Sequence, residues 1–282
     1  MAIKHVLITG DCHGRVEDRL AYIKDAMPEY DPSETAVIIL GDIGFNYYKN
    51  KKDWKLKHHA AQFGYTLYCL RGNHEDRANN TKGTEIVYDE FVHGYIFEEV
   101  EFPNIKYFAD EVAEYDIMSK KVLCIPGAYS VDKWYRLRND WHWFAQEQLT
   151  AEEMKYAEEL VAGKYYDLVF SHTCPITWEP TDLFLSMIDQ STVDKTMEVW
   201  MAKLEETFLW KHWLFGHYHA DRIERPYVEQ FYTEVEPLID ILERWKKYDE
   251  TGELDWWLPI SPRMKRIMEL KAMKGLKPKE EQ

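Results

Sequence analysis

The segment HWLFGHYH, residues 212–219, is an apolar run that ends in a glycine and two histidines. Five other short runs share its apolar character: VLITGD (6–11), AVIILGD (36–42), TLYCLRGNH (66–74), KVLCIPG (121–127) and DLVFSH (167–172). Their apolar residues are mostly continuous rather than alternating, which is typical of strands covered on both faces by other layers. Helical patterns lie between several of these runs, so the sequence predicts an α/β fold.

The helical patterns predict most of the connections. Apolar spacing favours helices over 15–27, 49–63, 191–210 and 235–245. Thr150 and Glu153 form a capping-box pattern that begins a helix able to run to Gly163. The pair Ser261-Pro262 is a good start for a last helix ending at Gly275.

The chain is predicted to form one main domain. Residues 1–226 make up that domain, and residues 227–282 form a C-terminal extension that packs on it, with the last residues disordered. Residues 83–117 break the alternation of strands and helices and are interpreted as a connection with short strands and a small helix. The pattern does not indicate an oligomeric state.

The charge balance restricts the partners. The 282 residues include 35 basic and 50 acidic side chains, a net charge of −15, so the field of the whole protein repels long nucleic acid and anionic membrane surfaces. We expect no membrane insertion, because no apolar span of about 18 residues occurs. The four cysteines form no C-x-x-C pair and fall in or beside apolar runs, which fits a reducing cytoplasm.

Five of the six apolar runs end in residues that can bind metal. These are Asp11 and His13, Asp42, Asn73 and His74, His172, and His217 and His219. Each taken alone is better explained as a turn residue or a packed histidine. In open α/β sheets, however, ligands bind beyond the carboxyl ends of the strands, so all five ends are expected to meet in one crevice.

The residue types indicate which metals would bind. Residues two apart on an extended segment face the same side, so Asp11 with His13, and His217 with His219, can each face a common centre. Carboxylate, imidazole and amide ligands suit manganese, iron or zinc better than calcium or magnesium. Two such ions sharing a carboxylate would generate a hydroxide nucleophile and neutralise a phosphate.

The motifs together resemble those of the calcineurin-like metallophosphoesterase family. They are D-x-H-G (11–14), G-D (41–42), G-N-H-E (72–75), the strand-end His172 and G-H-x-H (216–219), in the family's order from residue 5 to about 220. The resemblance implies a two-sheet β-sandwich flanked by helices, in four layers of the order αββα. It also implies in-line attack by a metal-bound hydroxide on a phosphoester.

The resemblance also implies roles for individual residues. Asp11, His13 and His219 would hold one metal, Asn73, His172 and His217 the other, and Asp42 would bridge them. His74 would contact the phosphate and protonate the leaving oxygen, a role suited to an imidazole near its unperturbed pKa of about 6.5. Manganese or iron is expected first, with zinc as the alternative.

One departure argues against a protein Ser/Thr phosphatase. That branch extends its second motif as G-D-x-x-D-R-G, whereas this chain has Phe45 and Asn46 where the pattern has Asp and Arg. The missing cation must come from elsewhere, and Arg15, Arg136 and Arg138 are the candidates for binding phosphate. The aromatic residues of 132–144 could stack on bases, although core packing is the preferred interpretation of the tryptophans.

The sequence therefore predicts a cytoplasmic dinuclear-metal phosphoesterase. Its substrate would be a phosphorylated small molecule, a nucleotide or a phosphoprotein. The first alternative is a phosphodiesterase acting on nucleotides or nucleic acid. A protein phosphatase and a non-catalytic scaffold are disfavoured, the scaffold because the full set of ligands is present.

Overall fold

The computed structural model describes residues 2–254 and 258–273. In this part of the chain, strands numbered in chain order form two mixed sheets. The seven-stranded sheet has the order β13 (Val235–Pro237), β1 (His5–Thr9), β2 (Thr35–Ile39), β3 (Thr66–Cys69), β6 (Ile105–Tyr107), β5 (Gly94–Glu99) and β4 (Thr84–Asp89). The six-stranded sheet has the order β11 (Arg222–Arg225), β12 (Val228–Gln230), β10 (Leu209–Phe215), β9 (Tyr165–Ser171), β8 (Lys120–Ile125) and β7 (Ala113–Ile117).

The central strands of both sheets are parallel. In the first sheet β1, β2, β3 and β6 pair in parallel, and in the second β8, β9, β10 and β12 do so. Parallel strands end at the same edge of their sheet. The loops that follow β1, β2 and β3 therefore leave the first sheet together, and those that follow β9 and β10 leave the second together.

Alternation along the strands divides the interior into layers. Val6 and Ile8 of β1 lie in a core between the two sheets with Phe170 of β9, whereas Leu7 and Val169 face outward. These strands are apolar on both faces because each sheet is covered on both sides.

Helices flank the two sheets. They are α1 (Val16–Ala26), α2 (Lys51–Ala61), α3 (Lys133–Arg138), α4 (Ala151–Val161), α5 (Thr196–Glu205), α6 (Leu238–Thr251) and α7 (Pro262–Met273). Leu20 of α1 packs on the outer face of the first sheet, and Met154 of α4 and Met201 of α5 pack on that of the second. This arrangement confirms the predicted α/β sandwich with the layer order αββα.

The structure confirms one predicted helix start and corrects two predicted helix ranges. The capping box of Thr150 and Glu153 is present at the start of α4. The prediction of one helix over 191–210 was wrong, since α5 spans only Thr196–Glu205 and β10 begins at Leu209. The prediction over 235–245 began too early, because Val235–Pro237 pairs with β1 before α6 starts. Helix α3 was not predicted.

The residues after 227 contribute to both sheets. Strand β12 pairs with β10 and strand β13 pairs with β1, and Arg244 of α6 forms ion pairs with Glu229 of β12 and Glu236 of β13. The boundary at 226 stays a prediction, and the tail predicted to be disordered lies in 274–282, outside the described residues. None of the helices in the described ranges has the length and apolar character needed to cross a membrane.

Candidate metal centre

The loops after five strands bring the predicted ligands together. The carboxylate of Asp11 lies 3.3 Å from Nε2 of His219 and 3.8 Å from Nε2 of His13. The carboxylate of Asp42 lies 3.9 Å from Nε2 of His13 and 3.4 Å from Nε2 of His172. Residues up to 208 positions apart in the chain therefore share one crevice between the two sheets.

The other predicted ligands surround the same carboxylates. Nε2 of His172 donates to Oδ1 of Asn73 over 2.9 Å, and its ring centroid lies 5.0 Å from that of His217. The backbone N–H of His217 donates to Oδ1 of Asp11 over 3.1 Å. All seven predicted ligands thus form one connected cluster.

The ligands converge by tight turns and not by strand alternation. Strand β1 ends at Thr9 and β10 ends at Phe215, before the ligands begin. The backbone angle φ is 47° at His13, 48° at Asp42, 70° at His217 and 53° at His219. The prediction that Asp11 with His13, and His217 with His219, face the centre because they lie two apart on an extended segment was therefore wrong. Non-glycine residues in this left-handed region cost of order 1–3 kcal/mol each, and such strain is typical of functional sites.

Glycines make room for the ligand side chains. A Cβ atom on Gly72 would overlap the carboxylate of Asp42, and one on Gly41 would overlap the ring of His172. A Cβ atom on Gly216 would lie 2.5 Å from Oδ1 of Asp11. Gly41, Gly72 and Gly216 are therefore required by the close approach of Asp11, Asp42 and His172.

The residues fit a bound metal. Asp11 Oδ2 is buried and has no hydrogen-bond partner in the described part of the chain. Nε2 of His219 is directed instead at Nε2 of His13, 2.8 Å away. Carboxylate or imidazole atoms within 4.8 Å of one another form three groups: Asp11, His13 and His219; His13, Asp42 and His74; and Asp11, Asp42 and His172. A buried carboxylate oxygen that accepts no hydrogen bond from the described residues, beside imidazole nitrogens that face each other, fits a bound cation.

The buried carboxylates set the charge of the imidazoles. Burial by itself lowers the pKa of His172, but Asp42 and Asp11 outweigh burial and raise it to about 9. Burial and the charge of His172 hold the pKa of His217 well below its usual value. The pKa of Asp42 lies well below its usual value because His74, His172 and His13 outweigh the effect of burial. A metal ion binds neutral imidazole, so it would displace the proton that His172 carries.

His74 stands at the edge of the cluster and contacts Arg136. Its backbone N–H donates to Oδ1 of Asp42 over 2.8 Å. Nη2 of Arg136 donates to the ring of His74, with 3.0 Å to Nδ1. Burial, followed by the charges of Arg136 and His13, lowers the pKa of His74 to about 4 despite the opposing effect of Asp42. This value differs from the near-normal pKa that was expected, because the ring is buried beside a guanidinium.

The three arginine candidates have different environments. Arg136 is buried, its Nε donates to Asp132 over 2.9 Å, and its Nη1 is buried without a hydrogen-bond partner among the described residues. Arg15 pairs with Asp18 on the surface, where its side chain is 81% exposed. Arg138 is exposed at the end of α3. Of the three, only Arg136 contacts the cluster in the ranges that the structure describes.

Sequence reasoning missed three supporting residues. Glu75 accepts hydrogen bonds from the backbone N–H groups of Gly72 (2.9 Å) and Gly44 (3.2 Å) and so ties two ligand loops together. Ser130 accepts from Nδ2 of Asn73 over 3.0 Å and donates to Glu147 over 2.5 Å. Ser130 follows KVLCIPG (121–127), the one apolar run of the six without a predicted ligand at its end, and that position was the available signal.

The fold and the cluster define a metal-dependent phosphoesterase. The chain belongs to the calcineurin-like phosphoesterase family, whose model matches residues 4–221. This match confirms the resemblance that the sequence motifs indicated.

Solved structures and curated proteins were also compared. The chain is similar to the protein TT1561 of Thermus thermophilus, with 13% identity, 76% of this chain and 81% of that chain covered, and a TM-score of 0.39. It is also similar to a cold-active protein-tyrosine phosphatase of the psychrophile Shewanella sp., with 14% identity, 82% and 72% covered, and a TM-score of 0.28. A comparison with curated proteins finds no match.

Proposed function

We propose that this protein hydrolyses phosphoesters at a two-metal centre. One metal would be held by Asp11, His13 and His219, the other by Asn73, His172 and His217, with Asp42 between them. The observation that carries the proposal is the buried Oδ2 of Asp11, which accepts no hydrogen bond within the described residues and lies among imidazoles from three loops. Manganese or iron fits this ligand set first, and zinc is the alternative. When bound, such ions supply Lewis acidity that draws charge from phosphoryl oxygens and makes water more acidic.

His74 and Arg136 would act on the phosphoryl group. The ring of His74 lies beside Asp42 and contacts the guanidinium of Arg136. Nη1 of that guanidinium has no hydrogen-bond partner in the part of the chain that the structure describes. A guanidinium binds phosphate oxygens through its planar fork, and a neutral imidazole donates one N–H. A phosphate dianion close to His74 would raise the pKa of its imidazole again. The imidazole would then carry the proton that it passes to the leaving oxygen.

The proposed substrates are phosphorylated small molecules, nucleotides and phosphoproteins. Asn46 stands where the protein Ser/Thr phosphatases have an arginine, so the second motif supplies no cation there. A phosphodiesterase acting on nucleotides is the second candidate, favoured by the exposed rings of Trp134 and Trp141 near the site. A cytoplasmic location is part of the proposal and is supported by four free cysteines.

Metal content and turnover test the proposal together. The protein is loaded with Mn²⁺, and its bound metal and its activity on an aryl phosphate and the bis-aryl diester are measured. We expect Asp42→Asn and His74→Ala to lower kcat by about 100-fold or more. Asp25→Asn and His59→Ala, on exposed positions of α1 and α2, serve as matched controls. Unchanged activity in the first two variants would contradict the assigned roles.

A second comparison tests the phosphate contact. Arg136→Lys keeps the positive charge but loses the planar fork, so KM for the phosphoester should rise about tenfold. Arg138→Lys on the exposed end of the same helix is the control and should leave KM unchanged. Equal KM values for the two variants would remove Arg136 from the proposed site.

A further inference from the structure

Three aromatic side chains stand beside His74 and are here called the aromatic wall: Tyr47, His142 and Phe144. Tyr47 lies in the loop after β2, and its ring is within 27° of parallel to the ring of His74 at a centroid distance of 6.3 Å. The ring of His142 lies 5.6 Å from that of Tyr47, and the ring of Phe144 lies 6.2 Å from it, both edge to face. The wall thus extends outward from the proposed phosphate position.

The wall is partly open to solvent. His142 is exposed, and Tyr47 and Phe144 are half-buried. The rings of His142 and Phe144 are parallel within 4°, with centroids 6.4 Å apart. Nearby, Trp134 is 63% exposed and Trp141 is 54% exposed. Exposed rings grouped in this way are available for contact with a ligand.

The wall and the proposed phosphate contact belong to one supported segment. The backbone N–H of Trp141 donates to the carbonyl of Arg136 over 2.9 Å, and that of Glu147 donates to the carbonyl of Phe144 over 3.1 Å. Glu147 in turn accepts from Ser130, which holds Asn73. The position of the wall is therefore tied to the ligand loops.

We propose that the aromatic wall binds a planar ring carried by the leaving group of the substrate. This inference rests on the proposed function and narrows it to phosphoesters of ring-bearing alcohols. Hydrolysis breaks the bond between phosphorus and the leaving oxygen, forms a bond from phosphorus to a water oxygen, and passes a proton to the leaving oxygen. The ring then departs on the alcohol. Nucleotides and arylmethyl phosphates share this chemistry.

Two matched substrate pairs test the inference with Mn²⁺ present. Adenosine 5′-monophosphate is compared with ribose 5-phosphate, and benzyl phosphate with cyclohexylmethyl phosphate. Each pair has the same type of leaving oxygen and differs in the planar ring. Stacking on aromatic side chains should raise kcat/KM for the ring-bearing member by about 5- to 150-fold. A preference in the first pair identifies a nucleotide, and one in the second pair alone identifies a smaller aryl group.

Variants assign the preference to the wall. Tyr47→Leu and His142→Ala should reduce the ring preference, measured as the ratio of kcat/KM within each substrate pair, toward one. Tyr47→Phe keeps the ring and should keep the preference. Tyr156→Leu, an exposed ring on α4, is the control. Retention of the full preference by both Tyr47→Leu and His142→Ala overturns the inference.

The outcomes separate the two proposals. Hydrolysis of all four esters without a ring preference overturns the aromatic inference and leaves the proposed function standing. Absence of turnover on every ester defeats the proposed function. In that case calorimetric binding of adenosine against ribose decides the role of the wall, because ring binding needs no hydrolysis. Equal or undetectable binding of both overturns it, and adenosine binding that Tyr47→Leu abolishes supports it.

Discussion

Replacing Arg244 should destabilise the contact between helix α6 and the two sheets. Nη1 of Arg244 donates to Glu229 over 2.5 Å, and Nη2 donates to Glu236. The carboxylates belong to different sheets, and all three side chains are buried. Arg244→Met leaves two buried carboxylates without their cation. Breaking a buried ion pair in this way costs about 3–5 kcal/mol of unfolding free energy, which corresponds to a decrease in Tm of about 5–8 °C.

The unfolding free energy lost in Arg244→Met should increase as pH rises. Burial and the charge of Glu229 raise the pKa of Glu236 to about 7 despite Arg244. The folded protein therefore holds a proton that the unfolded chain releases above its ordinary pKa, so stability falls as pH rises between the two values. Without Arg244 both carboxyl pKa values rise further. The deficit of Arg244→Met should accordingly be small at pH 5 and largest near pH 8.

Urea unfolding at pH 5 and pH 8 measures both effects. Arg266→Met is the matched control, because Arg266 forms an exposed pair with Glu269 at 3.3 Å in the same C-terminal region. Arg266→Met should lose less than about 1 kcal/mol of unfolding free energy. A deficit for Arg244→Met below about 1 kcal/mol at pH 8, or a larger deficit at pH 5, would refute the reasoning.

Two further substitutions test the support of the metal ligands, with Mn²⁺ affinity measured by calorimetric titration. Gly72→Ala should weaken metal binding by more than about tenfold, since the new Cβ overlaps Asp42. The control Gly163→Ala also strains the backbone, because φ is 70° there, but its Cβ would meet no atom within 4 Å and metal affinity should stay unchanged. Ser130→Ala removes the acceptor for Nδ2 of Asn73 and should cost about 10- to 100-fold in metal affinity. Ser191→Ala at an exposed turn is its control, and wild-type affinity in either test variant would show that the neighbouring ligand does not need that support.

The sequence predicted which residues face a shared crevice but not how their backbones reach it. Local spacing of apolar residues shows where strands run and where they end. It does not show the left-handed conformations at Asp42 and His217, because these depend on the loop being held from outside. Glu75 is an example: it accepts from Gly44 in a loop 31 positions away.

The sequence also could not distinguish the three candidate arginines. Arg15, Arg136 and Arg138 look equivalent in the sequence, yet only Arg136 is buried against His74. The difference arises from helix α3, six residues long, whose amphipathic pattern is too short to recognise. No local sequence pattern marked Tyr47 as a functional residue, because its neighbours in the aromatic wall come from a segment nearly 100 residues later.

By itself, the sequence predicted the α/β class of the fold and the set of polar residues that meet in one crevice. Both follow from local patterns: continuous apolar runs, and polar residues placed where the runs end. The tertiary structure alone decided the pairing of Arg136 with His74, the aromatic wall, and the joining of both sheets by Arg244. Those contacts are set by the packing of distant segments, and the residues in each segment carry no local pattern that specifies their partners.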